Sequence, residues 1–354
     1  MLPGHAAPDA TAEFANCFAE QRAAGFYRHA QGIAVSSIGI GSYLGDLDDK
    51  TDRGYTEATA AAIRGGINFI DTSLNYRNQK SELSIGKAIA GLVAAGALRR
   101  TEIVVCTKAG YLVPGAMPAL NPAEVVGRMH CLSPGFLSDQ LERSRVNLGL
   151  ETIDVFYLHN PETQLKAIPR SDYDARIHSA FELLEQKAAD GKVQFYGAAT
   201  WDGFRKPAGH SEGLVLVRME EIARAVGGAG HRFRFIQLPL NLSMGEAIAQ
   251  RNQTVDGKPA TILEAAAHLG ISVIASASLL QARLARNLPD EVAQSFPGFE
   301  TDAQRALQFA RSAPGVSVAL VGMSSAAHVK ENLAVASIPP VPKQDFLRMF
   351  EQER

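Results

Sequence analysis

Three predicted strands of this sequence each end at a side chain that can carry charge or exchange a proton. Asp71 follows the apolar run INFI, Lys108 follows IVVCT, and His159 follows IDVFYL. A carboxylate, an amine and an imidazole that meet in one place can hold and move a proton during catalysis. Each residue also has an ordinary explanation, since a strand-ending Asp often caps a turn and a Lys is usually solvated. Whether they meet depends on how the strands are arranged.

An alternating pattern runs through most of the 354 residues and predicts that arrangement. Short, nearly continuous apolar runs are typical of strands buried on both faces, and segments of helical periodicity separate them. The predicted strands are Ser37–Gly41, Ile67–Ile70, Ile103–Thr107, Ile153–Leu158, Val193–Gly197, Phe235–Leu238, Ile271–Ala275 and Val316–Val321. The predicted helices are Tyr55–Arg64, Glu82–Ala94, Pro134–Leu148, Ala175–Ala189, Arg218–Ala225, Thr261–Leu269, Asp302–Arg311 and Ala326–Ala336.

Eight strand–helix units predict an α/β fold of the (β/α)8 TIM-barrel class. In that fold the carboxyl ends of all the strands lie on one rim, so the three strand-end residues converge there. A doubly wound sheet is the competing arrangement, but no glycine-rich dinucleotide motif follows an early strand. We expect an N-terminal extension over residues 1–25, the barrel over 26–340 with a short hairpin capping it, and a C-terminal tail over 341–354. Long loops are expected at the carboxyl-terminal face.

Composition argues against several classes of partner. A formal net charge of −2 gives no electrostatic basis for binding nucleic acid or an anionic membrane. Cys17, Cys106 and Cys131 form neither a metal-ligand pattern nor an obvious disulfide framework. We find neither an export signal at the first residues nor an apolar stretch long enough to span a membrane. We therefore expect a cytoplasmic protein that acts on a small molecule, and the sequence leaves its oligomeric state open.

The segment around Asp71 resembles the signature of the aldo-keto reductases, with Tyr76 five residues after the aspartate. The resemblance runs from about Gly32 to Ala336, and its motifs occur in the family's order. They are Gly66–Ser73, Ser81–Glu82, Ile85–Gly86, Thr107–Lys108 and Leu158–His159. The resemblance implies an oxidoreductase that moves a hydride between a nicotinamide cofactor and an aldehyde, ketone, sugar or other alcohol. A cofactor-sensing subunit with little turnover is the alternative, since some members of the family serve that role.

The resemblance also implies a role for each catalytic residue. Tyr76 would supply the proton, although the pKa of a free tyrosine, about 10, is too high for ready exchange near neutrality. Lys108 would lower the pKa of Tyr76 by favouring the phenolate, and Asp71 would hold Lys108 in place. His159 would donate a hydrogen bond to the substrate oxygen. Asp71 could also cap the following turn, and the two roles are compatible.

The cofactor would lie across the barrel mouth, and the resemblance implies contacts at seven strand ends. NADP is expected and NAD is possible. Around the nicotinamide we expect Gly41, Ser42, Asp71, Asn160, Thr200 and Gln237. Ser276, Ala277 and Leu279 would meet the pyrophosphate, and Gly322, Ser324, His328, Glu331 and Asn332 would meet the adenosine at the start of the last helix, where a phosphate is favoured.

Two departures from the family pattern concern the cofactor. After the fifth strand the family often has Gly-x-Ser-Asn, whereas this chain has Gly197-Ala198-Ala199-Thr200. The Lys and Arg that often grip the 2′-phosphate are replaced here by Gly322 and His328. Arg283 and Arg286, in the loop after the seventh strand, could substitute for them or could be ordinary exposed arginines.

Overall fold

The centre of the fold is a closed barrel of eight parallel strands, which confirms the predicted fold class. A computed structural model describes residues 1–350 of the chain. In sequence order the barrel strands are β1 (Ile38–Gly41), β2 (Phe69–Asp71), β3 (Val104–Ala109), β4 (Ile153–His159), β5 (Val193–Ala199), β6 (Phe233–Pro239), β7 (Ser272–Ser276) and β8 (Val316–Gly322). Neighbours in the barrel follow sequence order, and β8 pairs with β1 to close it.

Eight major helices surround the barrel, one after each strand. They are α1 (Asp49–Arg64), α2 (Lys80–Ala94), α3 (Pro134–Leu148), α4 (Arg170–Ala189), α5 (Leu216–Gly227), α6 (Ile262–His268), α7 (Asp302–Ser312) and α8 (Ala326–Leu333). α1 begins six residues before the predicted Tyr55, because Asp48 caps it by accepting a hydrogen bond from the Thr51 N–H at 2.8 Å. α4 likewise begins earlier than predicted, at Arg170.

Shorter elements fill the connections and the ends of the chain. The short helices are Pro8–Asn16, Ala19–Ala23, Glu246–Ala249, Asp290–Ser295 and Lys343–Arg348, and single 3-10 turns are Arg100–Glu102, Pro122–Glu124, Pro161–Lys166, Gly203–Arg205, Gly228–Gly230 and Ala334–Ser337. Two small antiparallel pairs are Val125–Val126 with His130–Cys131 and Gln253–Val255 with Lys258–Ala260. The expected C-terminal tail, 341–354, contains the last of these short helices, and its Phe346 is buried against Phe309 of α7. Residues 351–354 of the tail lie outside the described residues.

The predicted hairpin caps the amino-terminal end of the barrel. Strands Tyr27–Ala30 and Ile33–Ser36 pair antiparallel around Gln31 and Gly32. Both turn residues have positive φ, 51° and 80°, which matches the two-residue turn that suits strand twist. The buried hairpin side chains pack with Ala6 and with the side chains that fill the barrel interior. The barrel is thus closed at the end opposite the three strand-end residues.

Two layers of apolar side chains hold the fold together. The inner layer fills the barrel, and the larger outer layer lies between the strands and the surrounding helices. Because the barrel strands are covered on both faces, their sequences are apolar almost throughout. None of the helices within residues 1–350 combines the length and the apolar character needed to cross a membrane.

Candidate active site

A cleft of about 520 Å³ opens at the carboxyl-terminal rim of the barrel. Most of the residues predicted for the site lie along its walls. Those that line it are Gly41, Ser42, Asp71, Tyr76, His159, Asn160, Thr200, Gln237, Ser276, Ala277, Leu279 and Gly322. Three aromatic side chains, Tyr43, Tyr111 and Trp201, complete the mouth. Its volume is in the range of small-molecule sites, roughly 300–1,000 Å³.

Lys108 lies beneath the cleft and joins the other predicted catalytic groups. Its side chain is fully buried, and its Nζ lies 2.5 Å from Asp71 Oδ2 and 3.3 Å from the Tyr76 hydroxyl. It also donates to the Thr72 carbonyl at 2.8 Å. The second Asp71 oxygen accepts a hydrogen bond from Gln237 Nε2 at 2.9 Å. The buried charges are therefore paired and hydrogen-bonded, as a buried ion pair requires.

The ionisation of Tyr76 differs from the sequence-based expectation. Burial raises the pKa of Tyr76 above its usual value, and the opposing effect of the Lys108 charge is smaller. The expected net lowering of the Tyr76 pKa is therefore wrong. Tyr76 keeps its proton at neutral pH, which prepares it to act as an acid.

His159 is held uncharged at the cleft wall. Burial, and next the nearby Lys108 charge, lower the pKa of His159 well below its usual value. Its Nδ1 lies 3.2 Å from the Ser73 hydroxyl, and its ring meets the edges of Tyr76 and Tyr111 at centroid distances of 5.7 and 5.1 Å. A neutral imidazole carries one N–H, so His159 can orient a substrate oxygen by a hydrogen bond without competing for its proton.

A second histidine, absent from the sequence-based prediction, fixes the main chain of His159. His130 is fully buried, and its Nε2 donates to the His159 carbonyl at 2.7 Å. Its Nδ1 accepts from Gln164 Nε2 at 2.7 Å, and Arg176 donates to the oxygen of the same amide. A Cβ on Gly110 would lie 2.6 Å from the His159 carbonyl, so glycine is needed for this approach. No motif in the sequence marks His130, because its partner lies 29 residues away.

A left-handed turn follows Tyr76, and Arg77 stabilises it. Residues 77–79 have φ between 48° and 72°, a region that residues other than glycine seldom occupy. The Arg77 side chain is buried, donates from Nε to the Asp46 carbonyl at 2.9 Å, and forms an ion pair with Asp52. These contacts fix the backbone beside Tyr76. The sequence held no glycine there to indicate the turn.

The predicted nicotinamide contacts are only partly free to meet a ligand. The Gln237 amide nitrogen is engaged by Asp71, and Asn160 Nδ2 donates to the Tyr111 hydroxyl at 2.9 Å. Thr200 Oγ1 and Ser278 Oγ, by contrast, are buried at the cleft wall and have no hydrogen-bond partner among residues 1–350. Such groups usually have a partner in a protein, so these two hydroxyls are left unsatisfied at the cleft wall.

Apart from Gly322, which lines the cleft, the predicted adenosine contacts lie outside it, in α8 and just before its start. Ser324, Glu331 and Asn332 do not line it, and neither does His328, which is exposed. Arg283 and Arg286 are also exposed. Within the described part of the chain, no Lys or Arg side chain lines the cleft, and no group of three His, Cys, Asp or Glu side chains could hold a metal ion.

Comparison with known proteins relates one part of the chain to a known family. A model of the aldo/keto reductase family matches residues 37–206, a little under half of the 354 residues and the part that contains all four catalytic candidates. This part of the chain is similar to the aldo-keto reductases. A solved aldo/keto reductase from Klebsiella pneumoniae in complex with NADP and acetate has the same fold, with a TM-score of 0.64 and 22% identity over 92% of this chain and 94% of that one.

Two named relatives are each similar to this chain over about half of its length. D-threo-aldose 1-dehydrogenase from a Pseudomonas species is 30% identical over 180 residues, which is 48% of this chain and 51% of the relative. A putative voltage-gated potassium channel subunit beta from Schizosaccharomyces pombe is 29% identical over 180 residues, 51% of this chain and 46% of the relative. Each match spans about half the length of the relative.

Proposed function

We propose that this chain is an aldo-keto reductase, an NAD(P)-dependent enzyme that transfers a hydride between nicotinamide and a carbonyl or alcohol substrate, an aldehyde, ketone or sugar. The observation that carries the proposal is the position of Lys108 Nζ, in contact with both the Asp71 carboxylate and the Tyr76 hydroxyl beneath an open cleft. His159 lies in the wall of the same cleft. The dehydrogenase among the relatives supports the same reaction class.

The cleft is large enough for the nicotinamide half of a dinucleotide and carries polar groups in its wall. Its volume of about 520 Å³ is adequate for the nicotinamide half, and Thr200 and Ser278 offer unpartnered hydroxyls within the described chain. NADP is the expected cofactor, because the Klebsiella neighbour is in complex with it, and NAD is the alternative. The residues that would hold the nicotinamide and pyrophosphate are Gly41, Ser42, Asp71, Asn160, Thr200, Gln237, Ser276, Ala277 and Leu279. Gly322, Ser324, His328, Glu331 and Asn332 would hold the adenosine.

The side chains divide the proton chemistry among them. When bound, the nicotinamide supplies or accepts the hydride. In reduction, Tyr76 donates its phenolic proton to the substrate oxygen, and the adjacent Lys108 ammonium stabilises the phenolate that remains. Asp71 keeps the ammonium in position, and His159 orients the oxygen by a hydrogen bond. In alcohol oxidation, the Tyr76 phenolate accepts the proton instead.

Replacement of Tyr76 by Phe tests this assignment. We expect turnover of 4-nitrobenzaldehyde with NADPH to fall by roughly 10²–10⁴-fold, the usual contribution of a general acid. Cofactor affinity, measured by fluorescence titration, should stay nearly unchanged. Tyr43→Phe is the matched control, because the Tyr43 ring packs against the Tyr76 ring at a centroid distance of 5.0 Å. Lys108 donates a hydrogen bond to the Tyr76 hydroxyl and not to that of Tyr43. Full activity in Tyr76→Phe would remove the proposed proton donor.

A cofactor-sensing subunit is the second candidate, because one relative is named as a channel beta subunit. The two functions share the cofactor site and differ in turnover. Tight NADPH binding without oxidation, over a panel of sugars, aldehydes and ketones, would favour the sensor. Steady oxidation of NADPH that depends on Tyr76 would favour the enzyme.

A further inference from the structure

A second cavity, of about 580 Å³, lies outside the barrel between the starts of α4 and α5. The loop 206–215 forms its third wall, and it shares no lining residue with the first cleft. Its inner surface is apolar and is built from Leu165, Ile168, Leu214, Met219 and Ile222. The proposed oxidoreductase reaction uses none of these residues.

Hydrogen bonds from three elements hold the cavity wall in place. Arg170, at the start of α4, donates to the Ser211 and Gly213 carbonyls at 2.8 and 2.7 Å. Asn252 donates to the Lys206 carbonyl at 2.8 Å, and Gln253 donates to the Leu214 carbonyl at 3.1 Å. The cavity is therefore preformed, and a ligand would not have to order the loop before binding.

The polar groups of the cavity point to the chemistry of its ligand. Tyr173 is 2% exposed and lines the cavity, and its hydroxyl has no hydrogen-bond partner in the described range 1–350. Lys206 also lines it and has only Glu212 nearby, at 3.8 Å. Arg170 has no carboxylate within salt-bridge distance in the same range. Arg218 is paired with Asp174, so the charge left at the rim is positive.

We propose that this cavity is a binding site for an aryl monocarboxylate. The apolar wall would take the aromatic body, and the carboxylate would lie at the rim beside Arg170 and Lys206, where a charge-assisted hydrogen bond is available. This site is independent of the hydride-transfer chemistry proposed for the first cleft.

The wall of the second cavity is connected to the first cleft. The Leu214 N–H donates to the Gly203 carbonyl at 2.8 Å, and Glu162 Oε1 accepts from the N–H groups of Gly203 and Trp201 at 3.2 and 2.9 Å. Trp201 is the single tryptophan of the chain and lines the first cleft. Its fluorescence is therefore a natural reporter for a ligand that moves this loop.

Calorimetric titration of the full chain with naphthalene-1-acetate tests the proposal, and naphthalene-1-acetamide is the uncharged matched probe. We expect the carboxylate to bind with a Kd on the order of 0.1 mM and the amide at least about tenfold more weakly, since one charge-assisted hydrogen bond is lost. Saturating NADP should not displace the carboxylate. The ligand should also raise the melting temperature, as any native-state ligand does.

Two variants locate the site. Lys206→Met should weaken binding of the carboxylate by about three- to tenfold, the effect of losing one partly exposed cationic contact. Arg224→Met is the matched control, because Arg224 is on α5 but does not line the cavity. Any one of four results would overturn the proposal. They are equal affinity for the carboxylate and the amide, displacement of the carboxylate by NADP, equal effects of the two variants, and no carboxylate binding at millimolar concentration.

Discussion

Replacement of Lys108 by Met isolates the electrostatic part of the proposed mechanism. Methionine is close to lysine in length and apolar, so it suits a position where the side chain is fully buried. The change removes the ammonium that lies 3.3 Å from the Tyr76 hydroxyl. Asp71 keeps its hydrogen bond from Gln237, and its carboxyl group can take up a proton, because burial already raises its pKa.

The size of the effect follows from the distance. Two unit charges 3.3 Å apart attract by about 5 kcal/mol at an effective dielectric constant of about 20. The negative charge of Asp71, which is bound to the same amine, offsets part of this attraction. We take the net stabilisation of the Tyr76 phenolate by Lys108 as about 2 kcal/mol, on the order of half of the Coulomb energy. At about 1.4 kcal/mol per tenfold change in rate, the Tyr76 phenolate in Lys108→Met is harder to form by roughly 10- to 100-fold.

Alcohol oxidation reveals this effect most directly, because it needs the phenolate as base. Without the ammonium the pKa of Tyr76 rises further, so the rising limb of the pH–rate profile should move to higher pH. Oxidation of 4-nitrobenzyl alcohol with NADP near neutrality should then be slower by roughly 10- to 100-fold. If cofactor affinity is unchanged, kcat/KM for reduction at the same pH should fall by the same factor, since the equilibrium constant of the reaction does not depend on the enzyme.

A control and a folding check complete the experiment. Lys87→Met removes an exposed lysine from α2 and should leave the profile unchanged. Circular dichroism and the melting temperature establish that Lys108→Met is folded. A folded Lys108→Met protein whose oxidation limb stays at the wild-type pH, with the rate lowered uniformly, would refute the role given to the ammonium.

Three further predictions concern the surroundings of the site. Burial lowers the pKa of His130 to about 4. Between pH 6.5 and 4 the unfolded chain therefore binds a proton that the folded chain does not. As the pH falls through this range, the free energy of unfolding should decrease by about 3 kcal/mol. Above pH 6.5 neither state binds this proton and no stability is lost. Denaturant melts between pH 6.5 and 4 should show that His130→Gln lacks this loss of stability, while the control His178→Gln, at a partly exposed position of α4, keeps it. Gly110→Ala should lower kcat more than it changes cofactor affinity, because its Cβ would push against the His159 carbonyl; an unchanged kcat would argue against this positioning contact. His328→Ala should weaken NADP binding more than NAD binding in parallel titrations, and equal losses would show that it does not sense the 2′-phosphate.

Much of the fold was predictable because its signals are local. The buried barrel strands appear in the sequence as apolar runs. The residues that cap the helices, and the glycines that follow them, lie within a few residues of the helix ends. Once eight such units were counted, barrel closure placed Asp71, Lys108 and His159 on one rim. The resemblance added Tyr76, which lies in a turn and ends no strand.

Other features depend on neighbours that are distant in the sequence. Gln237 was expected to meet the cofactor, yet its amide nitrogen is bound to Asp71, 166 residues away. The hydrogen bond from His130 to the main chain of His159 likewise has no trace in the local sequence. The early start of α1, by contrast, depends on the nearby cap Asp48, a local signal that the prediction overlooked.

By itself the sequence determined the barrel class, the order of the strands and which reactive side chains end them. The reason is that strands buried on both faces must be apolar along their length, and that parallel strands all end on the same rim. The tertiary structure alone decided the ionisation of those side chains. The pKa of Tyr76 depends on how completely folding removes water from the phenol and how closely it brings the ammonium of Lys108, and both quantities are set by packing among segments far apart in the chain.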